Sequence, residues 1–204
     1  MRESTRAQIV RAAFDVFSEQ GFTAATIADI TARAGVSRGL VSYHFGSKEQ
    51  LVQAVLDEWF ATFVCIVTEV EGAPDERLAA IIDSSLRAAV DALPEQRIVL
   101  ALALQPSTHE IFAQGERNNA KLSDAFIEAV RDVFRERGAD DPDVEEVMLR
   151  SLLEGVIVKR GIYGNAYPVH AARRWLYRTY GLGEPTTAFD APADATPIRL
   201  GFQS

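Results

Sequence analysis

The apolar positions of this chain recur at helical spacing along most of its length. Ile9, Val10, Ala13, Phe14 and Phe17 fall three and four residues apart, which gathers side chains on one face of an α-helix. Thr5-x-x-Gln8 predicts a capping box ahead of them, and Gly21 a stop. Thr26-x-x-Asp29 opens a short second helix with Ile27, Ile30 and Ala34 inward, ended by Gly35. Ser37 is placed to cap a third, about 38–45, in which Val41 and Phe45 point one way. Ser47-x-x-Gln50 then opens a long apolar helix through about residue 70.

Farther on, Pro74, Pro94, Pro142 and Pro168 sit where prolines start helices. Ser107-x-x-Glu110 predicts the cap of a further helix or helix pair reaching Gly138. No segment alternates at period two, so the expected fold class is all-α, with about nine helices. Three organisational units are expected: 1–50, 51–182, and a proline-bearing tail over 183–204.

Two short helices around Gly35 have helix-turn-helix geometry, in which the glycine permits the tight turn and Val36, Val41 and Phe45 lock the second helix in place. The outward face of that second helix then carries Arg38, Gly39, Leu40, Ser42, Tyr43 and His44. Phenol, imidazole and guanidinium all donate to phosphate oxygens, so this set fits a nucleic-acid groove. Gly39 removes a side chain where a backbone must come close. Lys48, in the first turn of the next helix, adds a cation to a helix N-terminus that already attracts phosphate.

The run Thr23-Ala24-Ala25-Thr26-Ile27-Ala28-Asp29-Ile30, followed by Ala34-Gly35-Val36-Ser37-Arg38-Gly39-Leu40-Val41-Ser42-Tyr43-His44-Phe45-Gly46-Ser47-Lys48-Glu49-Gln50-Leu51, resembles the N-terminal domain of TetR-family transcriptional regulators. The likeness covers about residues 5–60. It implies a homodimeric regulator, usually a repressor, that binds a palindromic operator in double-stranded DNA and is released by a small-molecule effector. Positions matching Thr26, Ser37, Tyr43, His44 and Lys48 then contact phosphate, and those matching Arg38, Gly39 and Ser42 reach base edges or nearby phosphates. Leu40 and Ser42 depart from the residues many members carry, and the Leu-Val-Ser order looks more like the BetI-like branch. Leu40 is there suited to a thymine methyl group.

Charge at first argues the other way. The 204 residues carry a net −8, unfavourable for phosphate. Residues 1–50, however, hold six basic side chains (Arg2, Arg6, Arg11, Arg33, Arg38, Lys48) against five acidic ones (Glu3, Asp15, Glu19, Asp29, Glu49), a balance of +1 that leaves −9 for the remainder. The acidic surplus lies wholly outside the motif.

The remainder offers weaker signals. Val144, Met148, Leu152 and Val156 form one apolar stripe, and Leu149, Leu153 and Ile157 a second. Two stripes on one helix, with Trp175 and Leu176 on the last, predict a two-fold helical dimer interface as well as a core. Candidates for an effector pocket are Phe63, Leu86, Leu104, Phe112 and Phe126, with Gln105, His109 and Glu154 as polar markers. A Glu154 facing the cavity favours a cationic ligand.

Catalysis has no foothold in the pattern. His44, His109 and His170 lie far apart, and no His-Glu-x-x-His or Cys-x-x-Cys occurs. The lone Cys65 sits in an apolar run without a neighbouring base, so an inert thiol is expected. No enzyme activity, metal or cofactor is expected, nor any membrane span, and the expected location is the cytoplasm.

Overall fold

A computed structural model describes residues 4–68 and 70–185, with the side chains of all of these except residues 60–68 and Glu95. Among the described residues there are ten α-helices, one 3-10 turn at Gly164–Ala166, and no strand. The all-α expectation holds. The expected tail beyond Pro185 and the side chains of Phe63 and Cys65 lie outside the described residues.

The first four helices are α1 (Thr5–Ala24), α2 (Ile27–Ala34), α3 (Arg38–His44) and α4 (Lys48–Thr68). Then follow α5 (Pro74–Asp91), α6 (Leu93–Leu104), α7 (His109–Asn118), α8 (Ala120–Glu136), α9 (Pro142–Tyr163) and α10 (Val169–Thr179). The count exceeds nine because the segment ending at Gly138 divides at Asn119. Its N–H bonds to the Gly115 carbonyl and its own carbonyl accepts from Leu122 and Ser123, closing one helix and starting the next.

The chain forms two compact units, one from Met1–Phe63 with Arg97–Ser123, the other from Val64–Gln96 with Asp124–Ser204. In the first, Ile9, Ala13, Val16, Ile30, Val41, Leu51 and Leu56 are fully buried, and Ile98, Val99 and Leu102 of α6 belong to the same core. Burying each large aliphatic side chain contributes about 1.5–3 kcal/mol, so this short-helix unit draws its stability from α1, α4 and α6. The predicted inward residues Val41 and Phe45 are both in that core, with Val36 packed at its margin.

Several caps depart from expectation by one residue. Ser4, not Thr5, caps α1 by accepting the Ala7 N–H at 3.2 Å. Gln8 instead sends its side-chain amide to the Ala34 carbonyl at 2.8 Å, satisfying an open acceptor at the end of α2. Gly21 does interrupt α1: its φ of +76° turns the chain before Phe22, a conformation that costs glycine little. Gln50 donates its N–H to Ser47, but its side-chain oxygen accepts from Gly46 rather than closing the box on Ser47. Ser107 makes no cap. Thr108 precedes α7, fully buried, and its hydroxyl donates to the Leu102 carbonyl at 2.7 Å.

The second unit buries Leu78, Ile81, Ile82 and Leu86 of α5 with Leu149, Leu153 and Ile157 of α9, and Leu176 of α10. Arg173, almost wholly buried, grips Asp83 with both arms at 2.7 and 2.5 Å. The two stripes of α9 separate: Leu149, Leu153 and Ile157 face the core, while Val144 and Met148 stand exposed. No helix among the described residues is long and apolar enough to cross a membrane.

Candidate nucleic-acid interface

The local chemistry of residues 26–48 fixes the shape of the site. Thr26 begins α2 with a complete capping box: its hydroxyl oxygen accepts the Asp29 N–H at 3.2 Å, while its own N–H and hydroxyl donate to Asp29 Oδ2 at 3.0 and 2.6 Å. Those two bonds from Thr26 hold the Asp29 carboxyl below its ordinary pKa. Gly35 ends α2 in the left-handed region, φ +64°, where the turn into α3 requires it. Ser37 then caps α3 by accepting the Leu40 N–H at 3.2 Å.

On α3 one side is core and the other is open. Val41 is buried, whereas Ser37, Arg38, Gly39 and Ser42 are exposed and Tyr43 stands 82% exposed. Leu40, His44 and Lys48 are half-buried, and Thr26 is exposed. The rings of Tyr43 and His44 meet edge to face at 5.2 Å. The predicted set therefore shares one accessible region around α3. Gly39 is informative here: a Cβ placed on it would meet nothing closer than Ser37 Oγ at 3.9 Å. The fold itself has no steric need for glycine, although glycine inside a helix costs about 1 kcal/mol.

Cations near this face are held in two ways. Arg33 is clamped by Glu19 through two bonds of 2.9 and 2.5 Å, with Asp15 3.7 Å away, so its charge is spent inside the protein. Lys48 instead rests on the Phe22 ring, its Nζ 4.3 Å from the centroid, and Arg6 lies over Phe45 at 5.3 Å. Burial lowers the Lys48 pKa, and Glu49 opposes that shift. Phe22 and Arg6 were not marked by the helical pattern. An apolar residue directly after a helix-stopping glycine is the one signal that could have pointed to Phe22.

Residues 9–55 match the family model described as bacterial regulatory proteins of the tetR family. Over that segment the chain is similar to the TetR family. An HTH-type transcriptional repressor of Mycobacterium tuberculosis is 55% identical over 56 residues, which cover 28% of this chain and only 30% of that relative. The BetI regulator of Paraburkholderia phytofirmans is 26% identical over 85% of this chain and 90% of its own. Among solved structures, a Rhodococcus transcriptional regulator superposes with a TM-score of 0.74 at 23% identity, covering 88% of this chain and 95% of that one. It shares the fold.

The remaining candidates are scattered. Leu104 (78% exposed), Gln105, His109 and Phe112 belong to the first unit, and Leu86, Phe126 and Glu154 to the second. Gln105 lines an open groove of about 360 Å³ with Phe17, Phe22, Thr23, Ile98 and Leu102. His109 contacts the Ala103 carbonyl at 3.1 Å. Leu86 and Phe126 are buried in packing, and Glu154 is exposed beside Arg150 at 3.5 Å. Of the interface candidates, Met148 and Trp175 are 51% and 47% exposed and Leu152 is half-buried, whereas Val156 and Leu176 are buried within their own unit.

Proposed function

We propose that this chain is a DNA-binding transcriptional regulator, a repressor that grips a palindromic operator as a homodimer and lets go when a small molecule binds. The observation that carries the reading is the open face of α3. Tyr43 is 82% exposed beside Arg38, Ser42 and His44, on a helix whose opposite side is core. An exposed tyrosine gains little from water, but against a phosphate it donates a hydrogen bond and covers the sugar with its ring. In this reading Thr26, Ser37, Tyr43, His44 and Lys48 meet phosphates, while Arg38, Gly39, Leu40 and Ser42 face the groove.

Two heads are needed because one carries few cations, and joining them raises the effective concentration of the second contact. Val144, Val147, Met148 and Ile162 on α9 and Trp175 on α10 are large, apolar and exposed, which supports a dimer face. DNA recognition is assigned to residues 1–50, and dimerisation and effector binding to 51–182, with the effector's chemistry open.

The test is selection of duplexes from a random-sequence pool by the full chain, followed by titration of the recovered duplex at several salt concentrations. A palindromic consensus bound with a steep salt dependence is expected. Recovery of no preferred sequence, together with salt-independent binding, overturns the proposal.

A further inference from the structure

We propose that Phe22 is a positioning residue for DNA binding: its ring holds the Lys48 ammonium in the place from which it reaches a phosphate. The inference rests on the phosphate role given to Lys48 above.

A lysine at the start of a helix is a charge on a flexible stem, and its reach toward phosphate is lost among many rotamers. A neighbouring carboxylate would pin it, as Glu19 pins Arg33, but would also neutralise it. An aromatic face pins a cation through the ring quadrupole while leaving its charge and its outward N–H donors available. Lys48 Nζ lies 4.3 Å from the Phe22 centroid, inside that range. The acid beside it, Glu49, is engaged by its own backbone N–H and the Ser47 side chain, and Lys48 forms no ion pair among the described residues.

The ring is itself fixed. Gly21, with φ +76°, folds the chain back so that Phe22 packs on the buried ring of Phe17, centroids 5.9 Å apart, at the margin of the core. Thus a turn at the end of α1 sets the position of a cation at the start of α4, residues apart in sequence and adjacent in space.

The experiment is a double-mutant cycle on the full chain with the duplex it selects. Phe22→Leu keeps apolar volume and removes the ring. It is expected to weaken binding about three- to fivefold per head, about ten- to twenty-fivefold for a two-headed complex. In a Lys48→Ala background the same change is expected to do nothing further. Phe22→Trp, which restores the aromatic face, is expected to recover most of the loss, and thermal melting of each variant shows whether the fold is intact. Equal weakening by Phe22→Leu with and without Lys48 means that Phe22 acts through packing and overturns the proposal. So does a folded Phe22→Leu protein with unchanged affinity. If Lys48→Ala alone leaves binding unchanged, the phosphate role of Lys48 is what fails.

Discussion

On α3 the exposed side chains are hydrogen-bond donors and an aromatic ring; on α9 four of the exposed side chains are large and apolar. Arg38, Ser42 and Tyr43 present N–H and O–H groups, whereas Val144, Val147, Met148 and Ile162 present almost none. Donors are satisfied by water and gain only where an acceptor is charged and fixed. Exposed apolar surface gains from any apolar cover. The two faces therefore suit partners of opposite chemistry, and a substitution on one should leave the other's property intact.

The largest expected effect comes from removing donors. Tyr43→Ala with Lys48→Ala takes two phosphate contacts from each head. Affinity is expected to fall about a thousandfold, and the slope of log affinity against log salt to shrink by about 2 for Lys48 in two heads. Sedimentation should show the same oligomeric state as the parent. A dimer lost along with DNA binding would mean that the two faces are not independent.

Next in size is Asp83→Ala, on neither face. It leaves the buried Arg173 without its two-armed partner. A loss of about 3 kcal/mol of stability is expected in urea unfolding, reduced from the fully buried case by the partial exposure of Asp83. Below it stands Met148→Glu, which puts a charge in the apolar face of α9. A dimer weakened about thirtyfold, or about 2 kcal/mol, is expected by sedimentation, with single-head affinity for random DNA unchanged. An unaltered dimer would take Met148 out of the interface.

What the sequence made legible follows the reach of each interaction. The α2–turn–α3 segment was readable because Thr26 with Asp29, Gly35, and Ser37 with Leu40 act over two to four residues, and local chemistry determines such contacts. The capping signals at Thr5 and Ser107 were off by one residue for a physical reason. Gln8 finds a better use on the Ala34 carbonyl, and Thr108 is drawn inward to the Leu102 carbonyl. Neither partner is a helix-turn neighbour. The grip of Arg173 on Asp83 and the seat of Lys48 on Phe22 join residues far apart in the chain, so periodicity carries no trace of them. The α9 stripes were separable by period, but no spacing tells which of two apolar stripes is core.

The smallest effect tests Thr26, where structural and binding roles compete. Its hydroxyl proton already goes to Asp29 at 2.6 Å, while its oxygen accepts the Asp29 N–H. To donate to a phosphate, Thr26 must release Asp29, so its net contribution to DNA affinity should be below that of Lys48. Thr26→Ala is expected to cost about 1 kcal/mol of stability through the lost cap and to weaken DNA binding only a few-fold. Thr26→Ser, which keeps the hydroxyl, should restore both. The pH dependence separates the roles further. The folded-state pKa of Asp29 lies below 3.8 because of its bonds from Thr26. Its stabilisation is therefore complete above that value and lost as pH falls through the depressed folded pKa. Thr26→Ala removes the hydroxyl's bond to Asp29 and keeps the backbone N–H bond, so the acid limb of its stability curve should be shallower than the parent's. An identical acid limb would show that the Thr26 hydroxyl's bond to Asp29 contributes nothing in solution, leaving phosphate as the use for that hydroxyl.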